Sequence, residues 1–281
     1  VTSTSEGTNA FQWQISDDCE TWTDLIESPD LIISGLFETK NGSYEAIEFY
    51  AVRDIENLSQ FRVGISSGSS SAEHVLANTS LSAGQYFMIY YNSNWSNFFS
   101  DEASSSYKTQ YINDVGSLSS GHFNISLWTN KTGFPKKVDA YGDDTKSAAG
   151  SAWDLDEGWA YRKNGRGAST TFNIDDWNIE KGEFKVVGGA STNGNDFVAN
   201  SYPLFKFSGP SEYIGVNNDT LTIVRTPLNL DDKNYRVLVS TPAFKCDTVI
   251  ASSCANIQVE AMSDTDKDGV PDYVDLDSDN D

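Results

Sequence analysis

Phe11-Gln12-Trp13-Gln14-Ile15 and, far downstream, Tyr235-Arg236-Val237-Leu238-Val239 decide how this chain is divided. Both alternate large apolar or aromatic residues with polar ones, the period of a half-buried β-strand. The first is followed by a polar turn and Thr21-Trp22-Thr23, and the second is flanked by Thr220-Leu221-Thr222-Ile223 and Ala255-Asn256-Ile257-Gln258-Val259. Neither group is long enough to enclose a core alone, since a sandwich of this kind needs about 100 residues. Two arrangements follow. Either the groups are halves of one domain interrupted by the intervening residues, or they are two separate sandwiches each short of strands. Insertion is the simpler, because loop-closure entropy grows only logarithmically, about 0.6 kcal/mol per doubling of length. The expected organisation is residues 1–29 as the first part of a host domain, 30–200 as an inserted β-sandwich, 201–262 as the second part of the host, and 263–281 as an acidic linker.

The chain has 281 residues, 38% of them hydrophobic, with 7 Trp, 13 Tyr and 15 Phe, which is enough for two cores. Abundant Ser, Thr, Asn and Gly between short apolar runs points to an all-β chain. The formal net charge of −22 opposes nucleic-acid phosphates and favours cations. No run of 18 apolar residues provides a membrane-spanning helix. Without an initiator Met or signal peptide, and ending at Asp281 within a repeating acidic pattern, the sequence reads as part of something longer. Of Cys19, Cys246 and Cys254, the last two are near enough in sequence to staple neighbouring strands; the alternative is free or buried thiols.

Between the two groups the strand pattern is denser. Leu31 to Leu36 is apolar, and Glu45-Ala46-Ile47-Glu48-Phe49-Tyr50 suggests acids outward and apolar residues inward. Leu58 to Ile65, Leu81 to Tyr90, Asn124 to Trp128, Lys137 to Gly142, and Glu157-Gly158-Trp159-Ala160-Tyr161-Arg162 to Asp176-Trp177-Asn178 continue the series. Residues 180–202 fit no element.

Two resemblances attach to these residues. Phe11 to Asp18 with Thr21 to Leu25 resembles the third strand and turn of bacterial immunoglobulin-like domains of cell-surface proteins. In that family a Tyr-x-Gly segment, a Thr-Leu-x-Ile strand and a Tyr-Arg-Val-x-Val strand come next; here Tyr213-Ile214-Gly215, Thr220 to Ile223 and Tyr235 to Val239 fill those roles in order. The middle stretch resembles a lamin tail domain, an immunoglobulin-like β-sandwich also found in bacterial secreted proteins, often beside extracellular nucleases. The motifs that carry it are Ile47-Glu48-Phe49-Tyr50, Leu81-x-x-Gly84-x-Tyr86, Leu127-Trp128 before Val138-Asp139, the late Arg162, and Asp176-Trp177. The long Ser- and Asn-rich loop around Asn92 to Gly121 departs from that pattern. Together the resemblances imply two immunoglobulin-like β-sandwiches, one inserted into the other.

The strongest chemical pattern is Asp264-Thr-Asp266-Lys-Asp268-Gly-Val270-Pro-Asp272-Tyr-Val-Asp275. Carboxylates at positions 1, 3, 5, 9 and 12, Gly at 6 and the Val270 carbonyl at 7 supply the six to eight oxygens calcium prefers. With no helical pattern on either side, it resembles a thrombospondin type 3 calcium repeat, and Asp275, Asp277, Asp279 and Asp281 resemble the start of a second loop. The alternative is a disordered acidic linker. At millimolar calcium such a site adds about 0.4 to 1.4 kcal/mol, which stiffens a linker but drives no reaction. His74 and His122 have no ligand spacing and no nucleophile motif is present, so no enzyme is expected. Tyr90, Tyr91, Trp95, Phe98 and Phe99 surround a polar loop and suit stacking on sugar rings; the alternative is a loop folded over its own aromatics. The functions expected are a non-catalytic structural or adhesive module of a secreted bacterial cell-surface protein, partnered by other modules or neighbouring surface proteins; a carbohydrate- or matrix-binding module; or an accessory domain of an extracellular nuclease.

Overall fold

The computed structural model describes residues 9–25, 27–38, 45–67, 70–91, 107–112, 122–131, 133–155, 158–181, 202–210, 212–224, 226, 230–240 and 249–259. These are all-β, with two short 3₁₀ turns and no α-helix among them. They divide into two compact units, Ser28–Pro210 and the described parts of Val1–Glu27 with Ser211–Asp281.

The split unit is built on β1 (Ala10–Ser16), which pairs antiparallel with β15 (Lys233–Ser240) over its full length, Trp13 opposite Val237 and Ile15 opposite Tyr235. On its other side β1 pairs with β2 (Thr23–Asp24), while β16 (Ile250–Ala251) and β17 (Ala255–Ile257) share the far edge of β15. A separate hairpin of β13 (Glu212–Ile214) and β14 (Thr222–Val224) turns at Gly215, whose φ of +81° requires glycine. Leu25, Val216 and Tyr235 form a small core, with Trp13, Ile15, Tyr213, Leu221, Ile223 and Ile257 against it. Trp13 is half-buried, so the indole lies along the edge of this core; its Nε1–H donates to the Asn218 carbonyl at 3.0 Å.

In the larger unit, β3 (Leu31–Glu38), β4 (Glu45–Ala51), β7 (Tyr86–Tyr91), β8 (Tyr107–Tyr111), β11 (Trp159–Arg162) and β12 (Trp177–Glu180) form a six-stranded sheet in the order β12-β11-β3-β4-β7-β8. A four-stranded sheet has the order β10 (Lys136–Tyr141), β9 (Asn124–Thr129), β5 (Phe61–Ser67), β6 (Ser70–Val75). Both sheets contribute to one core, including Leu31, Ile47, Phe49, Val63, Phe87, Leu127, Tyr141 and Trp177. A second cluster covers the opposite face of the larger sheet, where Tyr202, Phe207 and the half-buried Leu204 and Phe205 lie on Phe37, Tyr50, Tyr86, Trp159 and Tyr161.

That second layer corrects two expectations. Residues 202–210, assigned from sequence to the host, pack on the inserted unit instead, so the division falls at 27/28 and 210/211 rather than 29/30 and 200/201. Gly35 permits the approach, for a Cβ there would stand 2.4 Å from the Tyr202 hydroxyl. Nor do the acids of β4 face outward. Every residue of Glu45–Ala51 is buried, because Ile47, Phe49 and Ala51 face the core between the sheets while Ala46 and Tyr50 lie under the second layer.

Candidate functional site

The polar residues of the larger unit gather in three places. The first joins the two sheets. An extra residue in β10 between Lys137 and Asp139 sets Asp139 opposite Leu127, among residues of the inner core. Its Oδ2 accepts from Arg162 Nη2 at 2.7 Å and from the Ile33 amide at 2.8 Å, and its Oδ1 from the Ala140 and Ser169 amides at 2.9 and 3.0 Å. Arg162, from β11, donates Nε–H to the Ile33 carbonyl and Nη1–H to that of Gly167, and lies 4.4 Å from the centre of the Trp177 ring. Burial pushes the Asp139 carboxyl up, and the guanidinium and three amides pull it back. Every polar atom named here is spent joining β3, β10 and β11, which is a structural use.

The second place is Glu48, fully enclosed under the second layer. Its Oε1 accepts from Ser34 Oγ at 2.7 Å and Tyr161 OH at 2.9 Å, and its Oε2 from the Phe205 amide at 3.1 Å. The Tyr161 hydroxyl oxygen in turn accepts from the Lys206 and Phe207 amides, both at 2.9 Å. Burial outweighs the three donors and pushes the Glu48 carboxyl up to about 7. Burial first, then the Glu48 charge, also raises the Tyr161 hydroxyl far above its ordinary value.

The third is Glu38 and Glu45, directly opposite each other at the end of the β3–β4 ladder and 4% and 0% exposed. Among the described residues, neither oxygen of Glu45 has a hydrogen-bond partner. Burial, and then the Glu38 charge, push its carboxyl up to about 8.

The expected site residues fare differently. Tyr90 is half-buried on β7 with its ring 5.8 Å from that of Tyr111, which is 42% exposed. Tyr91 ends the same strand, whereas Trp95, Phe98 and Phe99 lie outside the described residues. So do Asp264, Asp266, Asp268, Val270, Asp272, Asp275, Asp277, Asp279 and Asp281, the whole calcium pattern. Among the described residues no group of three or more His, Cys, Asp or Glu is gathered for a metal. His122, which shows no ligand spacing in the sequence, sets Nδ1 2.7 Å from Asp154 Oδ1, and Asp154 Oδ2 accepts from the Gly150 amide. In the split unit an open groove of about 410 Å³ lies between Phe11 and the Gly215–Thr220 turn.

The expected Cys246–Cys254 staple is corrected: Cys254 is bonded to Cys19, across a separation of 235 residues, and Cys246 lies outside the described residues. Nearness in sequence is the wrong guide, because β1 and β17 are the two flanking neighbours of one end of β15. The turn after β1 then presents the sulfur. Asp18 Oδ1 accepts the Glu20 and Thr21 amides, which holds its carboxyl down at about 2, and Cys19 adopts φ +59°. Trp22 lies over Arg236 of β15, 4.2 Å from ring centre to guanidinium. No protein-family model matches this chain, and no curated protein matches it in sequence. No helix of the described residues is long and apolar enough to cross a membrane.

Proposed function

We propose that this chain is a non-catalytic structural or adhesive module of a secreted bacterial cell-surface protein, in which an immunoglobulin-like host domain carries an inserted lamin-tail-like sandwich, and residues 264–281 form a calcium-binding connector. Its partners are other modules of that surface protein or neighbouring surface proteins. The observation that carries this reading is the Cys19–Cys254 bond, which joins the two parts of the split unit covalently. Structural disulfides persist in oxidising, extracytoplasmic settings and are rare in the cytosol. The residues that carry the lamin-tail resemblance also support it, because Glu48, Asp139, Arg162 and Trp177 are all buried and engaged with neighbouring elements. Antibody labelling of intact source cells tests the reading. Surface labelling, with the Cys19–Cys254 bond present in protein recovered from those cells, is the expected result; a chain confined to the cytosol with reduced thiols overturns it.

A second reading, carbohydrate or matrix binding, is favoured by the Tyr90–Tyr111 ring pair at the base of the aromatic loop. A glycan array probed with the full chain and with Trp95→Ala separates the two: binding that depends on Trp95 supports the second reading, and no binding leaves the structural role.

A further inference from the structure

In the four-stranded sheet, Phe61, Val63 and Ile65 of β5 and Ile125 and Leu127 of β9 belong to the inner core. Alternation therefore puts Arg62, Gly64, Ser126 and Trp128 on the opposite face. There the register sets Val75, Arg62, Trp128 and Lys137 side by side, one from each of the four strands. At a strand spacing of about 4.8 Å the row is about 14 Å long. Trp128 belongs to neither hydrophobic cluster of the unit and is only half-buried, although an indole has much apolar surface to hide. It is nonetheless held in place. Its Nε1–H donates to Ser126 Oγ at 2.9 Å, two residues back along its own strand, and Ser126 Oγ donates to the Gly64 carbonyl at 3.4 Å. Gly64 makes the room, for a Cβ there would stand 2.6 Å from Ser126 Oγ and 3.7 Å from Trp128 Nε1. The indole thus reclines along the strand in a fixed orientation. Its flanks are cationic. Arg62 and Lys137 are its cross-strand neighbours, and from Asn124 to Val138 the sequence holds Lys131, Lys136 and Lys137 and no acid, in a chain where Asp and Glu outnumber Lys and Arg by 41 to 19. Arg62 is paired at 3.2 Å with Glu73 and Lys137 at 2.7 Å with Asp144, acids that are 59% and 54% exposed. Ion pairs so open to water contribute little to stability and yield readily to the charge of a ligand.

We propose that the row Arg62, Trp128, Lys137 binds an acidic polysaccharide whose sugar rings carry carboxylates. The indole offers an apolar surface to the C–H face of one ring, and the two cations take the carboxylates of the rings before and after it. Arg62 and Lys137 are two strand spacings apart, about 10 Å, which leaves room for one sugar ring between two charged ones. Charge complementarity decides the class. A neutral glycan leaves both cations unused, and the formal net charge of −22 repels a polyanion as densely charged as nucleic acid. A lipid surface suits the row less well, because an aromatic that enters a bilayer has to stand clear of the sheet. Phe134, 80% exposed in the turn between β9 and β10, does so, whereas Trp128 is tied back to Ser126. The site lies on the four-stranded sheet and is separate from the Tyr90–Tyr111 pair, which belongs to the six-stranded one.

The full chain is titrated calorimetrically, in calcium-free buffer of low ionic strength, with hexamers of galacturonic, mannuronic and glucuronic acid. The methyl ester of the galacturonic hexamer, which keeps the rings and removes the charge, is the control. The expected result is binding of at least one acidic hexamer, weakened at least tenfold by W128A and by R62Q with K137Q, reduced by added salt, and absent for the ester. Because Trp128 lies outside both hydrophobic clusters, W128A keeps the melting temperature of the parent, which separates a lost contact from a lost fold. Should W128A melt lower, the R62Q and K137Q chain decides. W95A and F134A leave binding unchanged. No binding of any hexamer overturns the proposal, as does binding that survives W128A or that depends on Trp95 instead. Attachment to vesicles of phosphatidylglycerol and phosphatidylcholine that is lost in F134A, with no affinity for the hexamers, overturns it in favour of a membrane site.

Discussion

Asp139 is the residue on which the two sheets of the larger unit depend most directly, since one carboxylate serves Arg162 and three backbone amides at once. Removing one member of such a buried pair strands the other charge, so Asp139→Ala is expected to cost about 3–5 kcal/mol in urea unfolding. Replacing Asp139 and Arg162 together by apolar residues of similar volume restores much of that loss, which distinguishes a stranded charge from simple loss of packing. Glu45 and Glu48 make an opposite contribution that varies with pH. Both carboxyls are raised by burial from an ordinary 4.5 to about 8 and about 7. The folded state therefore binds their protons more tightly than the unfolded chain does. The resulting stability is complete below about pH 4.5 and is lost as pH rises through 7 and 8. In calcium-free buffer the larger unit should melt lower at pH 8.5 than at pH 5.5. Glu48→Gln should flatten the part of the slope centred below pH 7, a difference on the order of a few kcal/mol.

At the scale of elements, the segment Tyr202–Pro210 is the least legible from sequence and among the most consequential. It forms no strand, so no periodicity announces it, yet it converts β4 from a strand with one wet face into one buried on both. Phe207 is 1% exposed and meets the Tyr50 ring edge-on at 5.3 Å, while its carbonyl accepts from Tyr86 OH at 2.6 Å. Phe207→Ala should cost about 3–5 kcal/mol in chemical denaturation of the larger unit and leave the split unit's transition in place. Alternation misleads in Glu45–Tyr50 for the same reason: acids at a two-faced position look like solvent-facing ones until the cover is known. β6 and β8 escape sequence reading for a different reason. Ser70–Val75 is an edge strand with little apolar content, and Tyr107–Tyr111 runs parallel beside β7, so neither shows the clean alternation of a hairpin. The apolar strands β3, β5, β7 and β9, by contrast, lie close to where their residue patterns put them.

At the scale of the whole molecule, the informative signal is incompleteness. The short runs around Trp13 and around Val237 cannot enclose a core separately, and β1 pairs with β15 in one sheet with Trp13 and Tyr235 against one core. The disulfide is not legible from cysteine spacing because pairing partners follow sheet order rather than chain distance. Its removal tests how far the split unit relies on it. With C19S and C254S, that unit should lose about 2–5 kcal/mol, seen by calorimetry as a lower first transition, while melting of the larger unit is unchanged. If residues 264–281 bind calcium as proposed, millimolar calcium should shift overall melting only slightly, by an amount expected of about 0.4 to 1.4 kcal/mol per site.

The Cys19–Cys254 bond also decides how the polypeptide transmits load. Tension applied between its two ends passes from residue 19 to residue 254 through sulfur, and the 235 residues of separation are bypassed. In a pulling measurement only the chain before Cys19 and after Cys254 can lengthen, and Ser28–Pro210 bears no stretch until the bond is reduced. The larger unit is thus carried as an unstrained pendant on a tether of fixed reach.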